Sequence, residues 1–428
     1  VMHIATANLE IQREPFIRPF AFKGSAFHEK WNLVIRLQDD KGRTAFGVGG
    51  LAVLWSDARV FAAHSEVGGN ALMVAVLERA LALVRDQSFV GPREIFRQVF
   101  PEVHAYAQEI TRQPDLRQTF TLNALVALDN AAWVLAARES GSETFDAMLS
   151  PDERGLLKHR QQHVASVPAI GYASTPAEVH AMVELGAYLL KIKIGQPGDQ
   201  AAMLAKDCEW LSHLHDMVKD RETSMTKSGR VLYYLDANGR YESVEALLRL
   251  LRHAERIGML ERIVVIEEAL VEELAVDVSQ VPACLAADES LHAAADVTTR
   301  AQQGYGAIAV KAAGKTLSLA LEMVQAADAA GLQPFVADNA CVPILVDWNK
   351  NVAGRLPAFP GLKGGIMETN GRENYGAEAW RRMLAEHPCA GARWLEPEGG
   401  GFVLQDSFYA QSGGILVDPK PYSDLFRV

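Results

Sequence analysis

Mostly apolar segments of three to seven residues recur along the second half of the chain, at 164–170, 189–194, 231–235, 263–266, 283–287, 307–310, 334–337 and 365–367. Stretches of helical spacing lie between them, among them 176–186, 243–258 and 317–331, and each of these three ends in glycine. A strand that is apolar on both faces is one buried in a parallel sheet covered by helices. Eight of them predict an α/β chain with a closed (β/α)8 barrel of the TIM type. An open doubly wound sheet would carry a GxGxxG turn after its first strand, and none is present. The first sixty residues instead alternate as strands, with a hairpin of 30–37 and 44–49 about the turn Asp39-Asp40-Lys41-Gly42. The segment 20–29 reads as an aromatic loop. Helices are expected at 71–85, 92–112 and 122–139, which makes the N-terminal part a small α+β unit. After residue 371 a helix near 377–386 and a glycine-rich hairpin at 397–401 look too irregular for further barrel and are expected to return to that unit.

Composition narrows the partners. Net charge is −11, from 42 basic and 53 acidic residues, with no long basic run, which argues against nucleic acid or an anionic membrane surface. Cys208, Cys284, Cys341 and Cys389 are scattered without a CxxC pair, as in a reducing compartment. No basic segment followed by an apolar core opens the sequence, and the longest unbroken apolar run, 131–137, is short for a membrane span. A cytoplasmic protein that acts on a small molecule is expected, with a homo-oligomer left open.

The chemistry sits where the apolar runs stop. Lys191 and Lys193 share one face of the strand 189–194, and apolar neighbours leave neither ammonium an obvious route to solvent. The next strands end in Asp236-Ala237-Asn238, Glu267-Glu268, Asp288-Glu289 and Lys311. In a (β/α) barrel these ends form the rim that carries catalytic groups. Three converging carboxylates, Asp236, Glu267 and Asp288, call for a hard divalent cation such as Mg²⁺, and the absence of His or Cys at these ends argues against zinc. Lysines flank that cation in strand order, Lys193 before it and Lys311 after it. A cation and a second lysine both lower a lysine pKa, and removal of a proton next to a carboxylate needs the ene-diolate held by positive charge.

The motifs LKIKIG, LDANG, IEE, AADES and VK, with gaps of 43, 31, 21 and 23 residues from Lys193 onward, resemble the enolase superfamily. Within it the chain is most similar to the muconate-lactonising and dipeptide-epimerase subgroup of the mandelate racemase/muconate-lactonising family. The segment 124–133 also resembles that family's linker into the barrel. The resemblance implies a modified barrel, (β/α)7β, at 141–370, an N-terminal α+β capping domain at 1–140, and a C-terminal segment at 371–428 that completes the cap. It implies Asp236, Glu267 and Asp288 as Mg²⁺ ligands, with Glu268 as the fallback for Glu267. Lys193 and Lys311 become acid/base groups on opposite faces of the substrate, with Lys191 stabilising the carboxylate or tuning Lys193 as its electrostatic neighbour. The sequence departs from the family at Ala269, where proline is common, and at Lys311-Ala312-Ala313-Gly314-Lys315, where a glycine pair is usual. No histidine stands near strand seven, unlike the mandelate-racemase subgroup.

These residues predict a Mg²⁺-dependent isomerase that removes the proton α to a carboxylate, giving racemisation or epimerisation. Cycloisomerisation or β-elimination is the alternative with one lysine as base, and a Schiff-base aldolase through Lys311 is the remote one. Substrate contacts are expected from Asn238, Asp338 and Glu368 on the rim. From the cap they are expected in the loop of Lys23, Phe27, His28 and Trp31 and in the segment 55–69.

Overall fold

The computed structural model describes residues 1–427. Four antiparallel strands build the N-terminal sheet in the order β3-β2-β1-β4: β1 Met2–Phe22, β2 Ser25–Asp39, β3 Thr44–Gly50 and β4 Gln87–Phe89. The segment 20–29 is no loop. It is the tip of the β1–β2 hairpin, with Phe22 paired to Ser25 and the turn made by Lys23 and Gly24 at φ 50° and 73°. Positive φ at both turn residues gives the backbone twist that continues two antiparallel strands. Lysine in place of the usual asparagine hides that turn in the sequence. Three helices cover the sheet, Ala58–Val84, Pro92–Thr111 and Gln118–Ser140. The first begins well before the expected 71, so most of the segment 55–69 is helical, broken at the extended Asp57 and at Ser65 (φ 65°).

The parallel strands are β5 His163–Val167, β6 Ala169–Ile170, β7 Leu189–Lys193, β8 Leu232–Asp236, β9 Ile263–Glu267, β10 Leu285–Ala287, β11 Ala307–Val310, β12 Gln333–Val336 and β13 Gly365–Glu368. Their order is β5-β13-β12-β11-β10-β9-β8-β7-β6. β5 and β6 are one strand interrupted at Pro168, which has no N–H to give the ladder. β5 pairs with β13 and β6 with β7, so the sheet closes on itself as an eight-stranded barrel. A further strand, β14 Gly401–Val403, adds antiparallel to β5. The tail therefore contributes to the barrel sheet, which its irregular sequence did not suggest. It also returns to the cap: Arg382 pairs with Glu14 at 2.7 Å, Asp418 with Arg138 at 2.6 Å, and Phe426 packs on Phe46.

Among the described residues two helices, Ala58–Val84 and Gln118–Ser140, are long and apolar enough to cross a membrane by length and composition, although neither is an unbroken apolar run. The apolar window of Gln118–Ser140 is 94% buried, so this helix is the covered core between cap and barrel. β3 lies so close to it that a Cβ at Gly49 would stand 2.6 Å from the Ala127 nitrogen. Asn123 on this helix accepts from the Ala52 N–H at 2.8 Å and donates to the carbonyls of Gly50 and Gly314 at 3.2 Å each. One buried amide thus fixes the end of β3 against the turn that follows β11.

Candidate active site

The barrel interior explains why the charges converge. Leu189, Leu232 with Tyr234, Val265, Ala286, Ala307 with Ala309, and Ile366 pack together inside the barrel. Side chains alternate along a strand, so the next inward position on each is two residues on. Those positions are Lys191 and Lys193, Asp236, Glu267, Asp288, Lys311 and Glu368, and every one is buried. Glu267 rather than Glu268 continues this inward file. Register carries it sideways too, since Lys193 pairs with Asp236 and Asp236 with Glu267.

Lys191 is enclosed by carboxylates. Its Nζ lies 2.6 Å from Glu267, 2.8 Å from Glu368 and 2.9 Å from Asp236, and 4.7 Å from the centre of the Tyr234 ring. Burial works against its charge, but Asp236, Glu267 and Glu368 outweigh burial and hold its pKa well above that of an ordinary lysine. Lys193 donates to Asp236 at 2.5 Å and to Asn238 at 2.9 Å. Burial would raise the Asp236 pKa, yet Lys191 and Lys193 keep it below the usual carboxylate range. Across the mouth, Lys311 Nζ is 2.5 Å from Asp288 and 4.2 Å from the centre of the Trp55 ring. Burial lowers its pKa and Asp288 with Glu267 raises it, with the net result above the ordinary value. The pKa of Lys311, expected to lie low, is thus held up by its carboxylate partners, as is that of Lys191.

The carboxylates that gather most closely are Glu267, Asp288 and Glu289, which offer oxygens within 4.8 Å of one another. Asp236, the expected third member of the cluster, is turned to the two lysines. Glu267 Oε1, both Asp288 oxygens and Glu289 Oε2 are buried without an aligned hydrogen-bond donor. The ammonium groups of Lys311 and Lys315 approach Asp288 at 2.5 and 3.2 Å as charges, off the directions a hydrogen bond requires. Burial and the negative charge of Asp236, against Lys191 but with Asp288, push the Glu267 pKa well above the carboxylate range. Crowded anions of this kind, all oxygen donors, fit a hard divalent cation such as Mg²⁺. Glu268 stands behind them. It has φ 37° and accepts from the Asp288 N–H at 2.7 Å and Ser290 Oγ at 3.1 Å, bracing the loop that carries Asp288.

A small cavity opens beside these groups. Lys191, Lys193, Asp236, Asn238, Lys311, Asp338 and Glu368 line one side, and Phe20, Phe22, Phe27, Ala52 and Trp55 of the cap line the other. Four of the expected substrate contacts therefore border it: Phe27, Asn238, Asp338 and Glu368. Three do not. His28 points outward to Glu66, and the Trp31 indole donates to Glu29 at 2.9 Å under the Arg13 guanidinium. Lys23 reaches the Trp55 carbonyl at 3.0 Å and Glu289 at 3.3 Å, on the carboxylate side rather than in the cavity. Asp338 spends its oxygens on the N–H groups of Cys341 and Asn370, at 3.3 and 3.0 Å.

Sequence reasoning missed Lys30, Lys315, Tyr234, Glu289 and Asn339 as members of the site's surroundings. Tyr234 donates to Glu267, and its place two residues before Asp236 was the available signal. Lys315 lies one helical turn after Lys311 and donates to the carbonyls of Asp288 and Leu291. Lys30 comes from the cap strand β2 and donates to the Asn339 carbonyl, a contact between residues far apart in the chain that carries no local signal.

A closed parallel barrel under an α+β cap is the fold of solved mandelate racemase/muconate lactonizing structures. The chain is similar to a mandelate racemase/muconate lactonizing protein from Herpetosiphon aurantiacus, with TM-score 0.64, 18% identity, and coverage of 95% of this chain and 96% of that one. It is similar to a dipeptide epimerase from Enterococcus faecalis V583 complexed with Mg and the dipeptide L-Leu-L-Tyr, with TM-score 0.61, 15% identity and coverage of 86% and 90%. It is also similar to 2-chloromuconate cycloisomerase from Rhodococcus opacus 1CP, with TM-score 0.63, 15% identity and 94% of each chain covered. No family model matches the sequence, and no curated protein matches it.

Proposed function

We propose that the protein is a divalent-cation-dependent isomerase that moves the proton on the carbon α to the carboxylate of a small-molecule substrate. The observation that carries this is the placement of two lysines around the ring of strands. β7 and β11 stand four strands apart in a ring of eight, so Lys193 and Lys311 face each other across the mouth and border the same cavity. In this reading one Nζ, neutral at that moment, takes the α-proton, and the C–H electron pair moves onto the substrate carboxylate. The opposite ammonium then returns a proton to the same carbon from the other face, which inverts it. Lys191 supplies fixed positive charge beside the carboxylate end, and Phe22 and Phe27 exclude water from the cap side. Glu267 and Asp288, with Glu289 beside them and Asp236 as the ligand the sequence pattern adds, would hold Mg²⁺, which supplies positive charge against the substrate carboxylate when bound.

The close contact of Lys311 with Asp288 favours a second form of the same chemistry. If Lys311 stays an ammonium and acts only as charge, Lys193 is the sole base and the outcome is cycloisomerisation or β-elimination. Incubation with Mg²⁺ in D₂O, read by NMR for α-deuterium, tests both. Racemisation predicts exchange from either enantiomer, with Lys193→Ala removing exchange from one and Lys311→Ala from the other. Exchange that survives both substitutions would sink the proton-transfer reading.

A further inference from the structure

We propose that Lys23 competes with the divalent cation across Glu289, which couples cation binding to the closure of the β1–β2 hairpin tip. This rests on the cation-dependent reading above and adds a positioning residue that regulates the same cluster from the cap. The Lys23 ammonium lies 3.3 Å from Glu289 Oε1 and donates to the Trp55 carbonyl at 3.0 Å. The two side chains of the ion pair are only 12% and 3% exposed, so solvent screens the contact little. Lys23 holds this position at φ 50°, in the left-handed region that glycine or asparagine ordinarily fills. A lysine in such a turn is accounted for by what its ammonium touches, not by the turn itself.

Glu289 has two unlike oxygens. Its Oε1 accepts from Asn238 Nδ2 at 2.7 Å and faces Lys23, whereas its Oε2 is buried with no partner, and the residue belongs to the cluster with Glu267 and Asp288. A cation held by that cluster and the Lys23 ammonium share one carboxylate and repel each other across it. Of the two, Lys23 is the group free to leave. It stands on a two-residue turn and borders an open cleft between cap and barrel, whose other lining residues include Asp115 and Glu273 with side chains 73% and 79% exposed. The ammonium can therefore move into the cleft without breaking the hairpin. Its neighbour Phe22 lines the mouth cavity, so release of Lys23 loosens one wall of that cavity. Coupling of this kind is reciprocal: what the closed tip takes from cation affinity, the cation takes from closure.

Two measurements on the full chain without substrate test the coupling: Mn²⁺ titration followed by EPR, and hydrogen exchange of the hairpin tip, residues 20–27, with and without Mn²⁺. Lys23→Met, which keeps an unbranched side chain and removes the charge, is expected to tighten Mn²⁺ binding about tenfold. Lys23→Arg, which keeps the charge, is expected to stay within about twofold of the native chain. In the native chain Mn²⁺ is expected to speed exchange at the tip about threefold or more, and in Lys23→Met the tip exchanges at the faster rate with or without the ion. Unchanged or weaker Mn²⁺ binding in Lys23→Met overturns the inference. So does exchange at the native tip that ignores Mn²⁺, a readout that needs no variant, or an Mn²⁺ effect of the same size in Lys23→Met. Mn²⁺ bound by neither protein overturns the cation-dependent reading itself, and the inference with it.

Discussion

Lys30 is the group whose removal should strengthen the protein, and only in a defined pH range. It comes from β2, is 0% exposed, and its ammonium donates to the Asn339 carbonyl on the barrel side of the cavity. Burial lowers its pKa from 10.5 to about 8, against the pull of Cys341 and Asp338 and helped by Lys311. The folded state then binds this proton less tightly than the unfolded chain does. Between pH 8 and 10.5 the unfolded chain holds more protons at this site, so stability rises with pH across that window. Below pH 8 the full penalty is present. The difference between the two pKa values sets that penalty at about 3 kcal/mol at pH 7, falling to about 1.4 kcal/mol at pH 9.5. Relative to Lys30→Met, which keeps the length of the side chain and cannot titrate, the native chain should gain about 2 kcal/mol over that span. An unfolding entropy typical of a chain this long converts the gain to about 2 °C in Tm. Scanning calorimetry of both proteins at several pH values between 7 and 9.5 in EDTA measures the gap directly, because every other titration is common to the pair. A gap that stays constant within about 0.5 °C, or widens in the opposite sense, would refute the reasoning.

Two further substitutions test the charged cluster. Lys191→Met leaves Asp236, Glu267 and Glu368 without their shared ammonium, and should cost about 3–5 kcal/mol, seen as a fall in Tm of about 3–5 °C in EDTA that Mg²⁺ partly restores. A melting temperature equal to that of the native chain would mean that the three acids are already neutral. Glu289→Gln should weaken Mn²⁺ binding, followed by EPR without substrate, by about tenfold or more, while leaving the fold intact. Affinity within about twofold of the native value would remove Glu289 from the cation site.

The barrel was legible because its strands are buried on both faces and its charges stand where the apolar runs stop. Val265 and Ala286 each point inward, and two residues later so do Glu267 and Asp288, so alternation alone distinguished Glu267 from Glu268. The cap was harder to read. Its hairpin tip is turned by Lys23-Gly24, a pair that carries little turn signal, so Phe20 to Glu29 looked like a loop. Treating that stretch as one surface also placed His28 and Trp31 beside Phe27, whereas as strand residues they lean on Glu66 and Glu29 instead. Lys30 and Asn339 meet only because the cap folds over the barrel, and nothing near either residue in the sequence announces the other. The helix Gln118–Ser140 shows the opposite failure: Thr121, Asn123 and Asp129 interrupt its apolar runs, yet each is buried within the structure.

The same alternation that makes the site legible also sets what its lysines can do. Inward positions on neighbouring strands are adjacent, so each lysine at the rim meets a carboxylate: Lys193 meets Asp236, and Lys311 meets Asp288. At Lys311 that contact stabilises the ammonium form and outweighs burial, which alone would lower its pKa. In the proposed reaction a lysine becomes a base only when its carboxylate is drawn elsewhere, and the unaligned oxygens of Glu267, Asp288 and Glu289 lie on the side where a cation would draw it. Lys311 leans on an acid of that cluster, whereas Lys193 leans on Asp236 and Asn238 outside it. The two lysines thus differ in what must move before each can accept a proton. An enzyme that works from both faces of its substrate needs such a difference, because one lysine has to enter the reaction neutral while the other enters it charged.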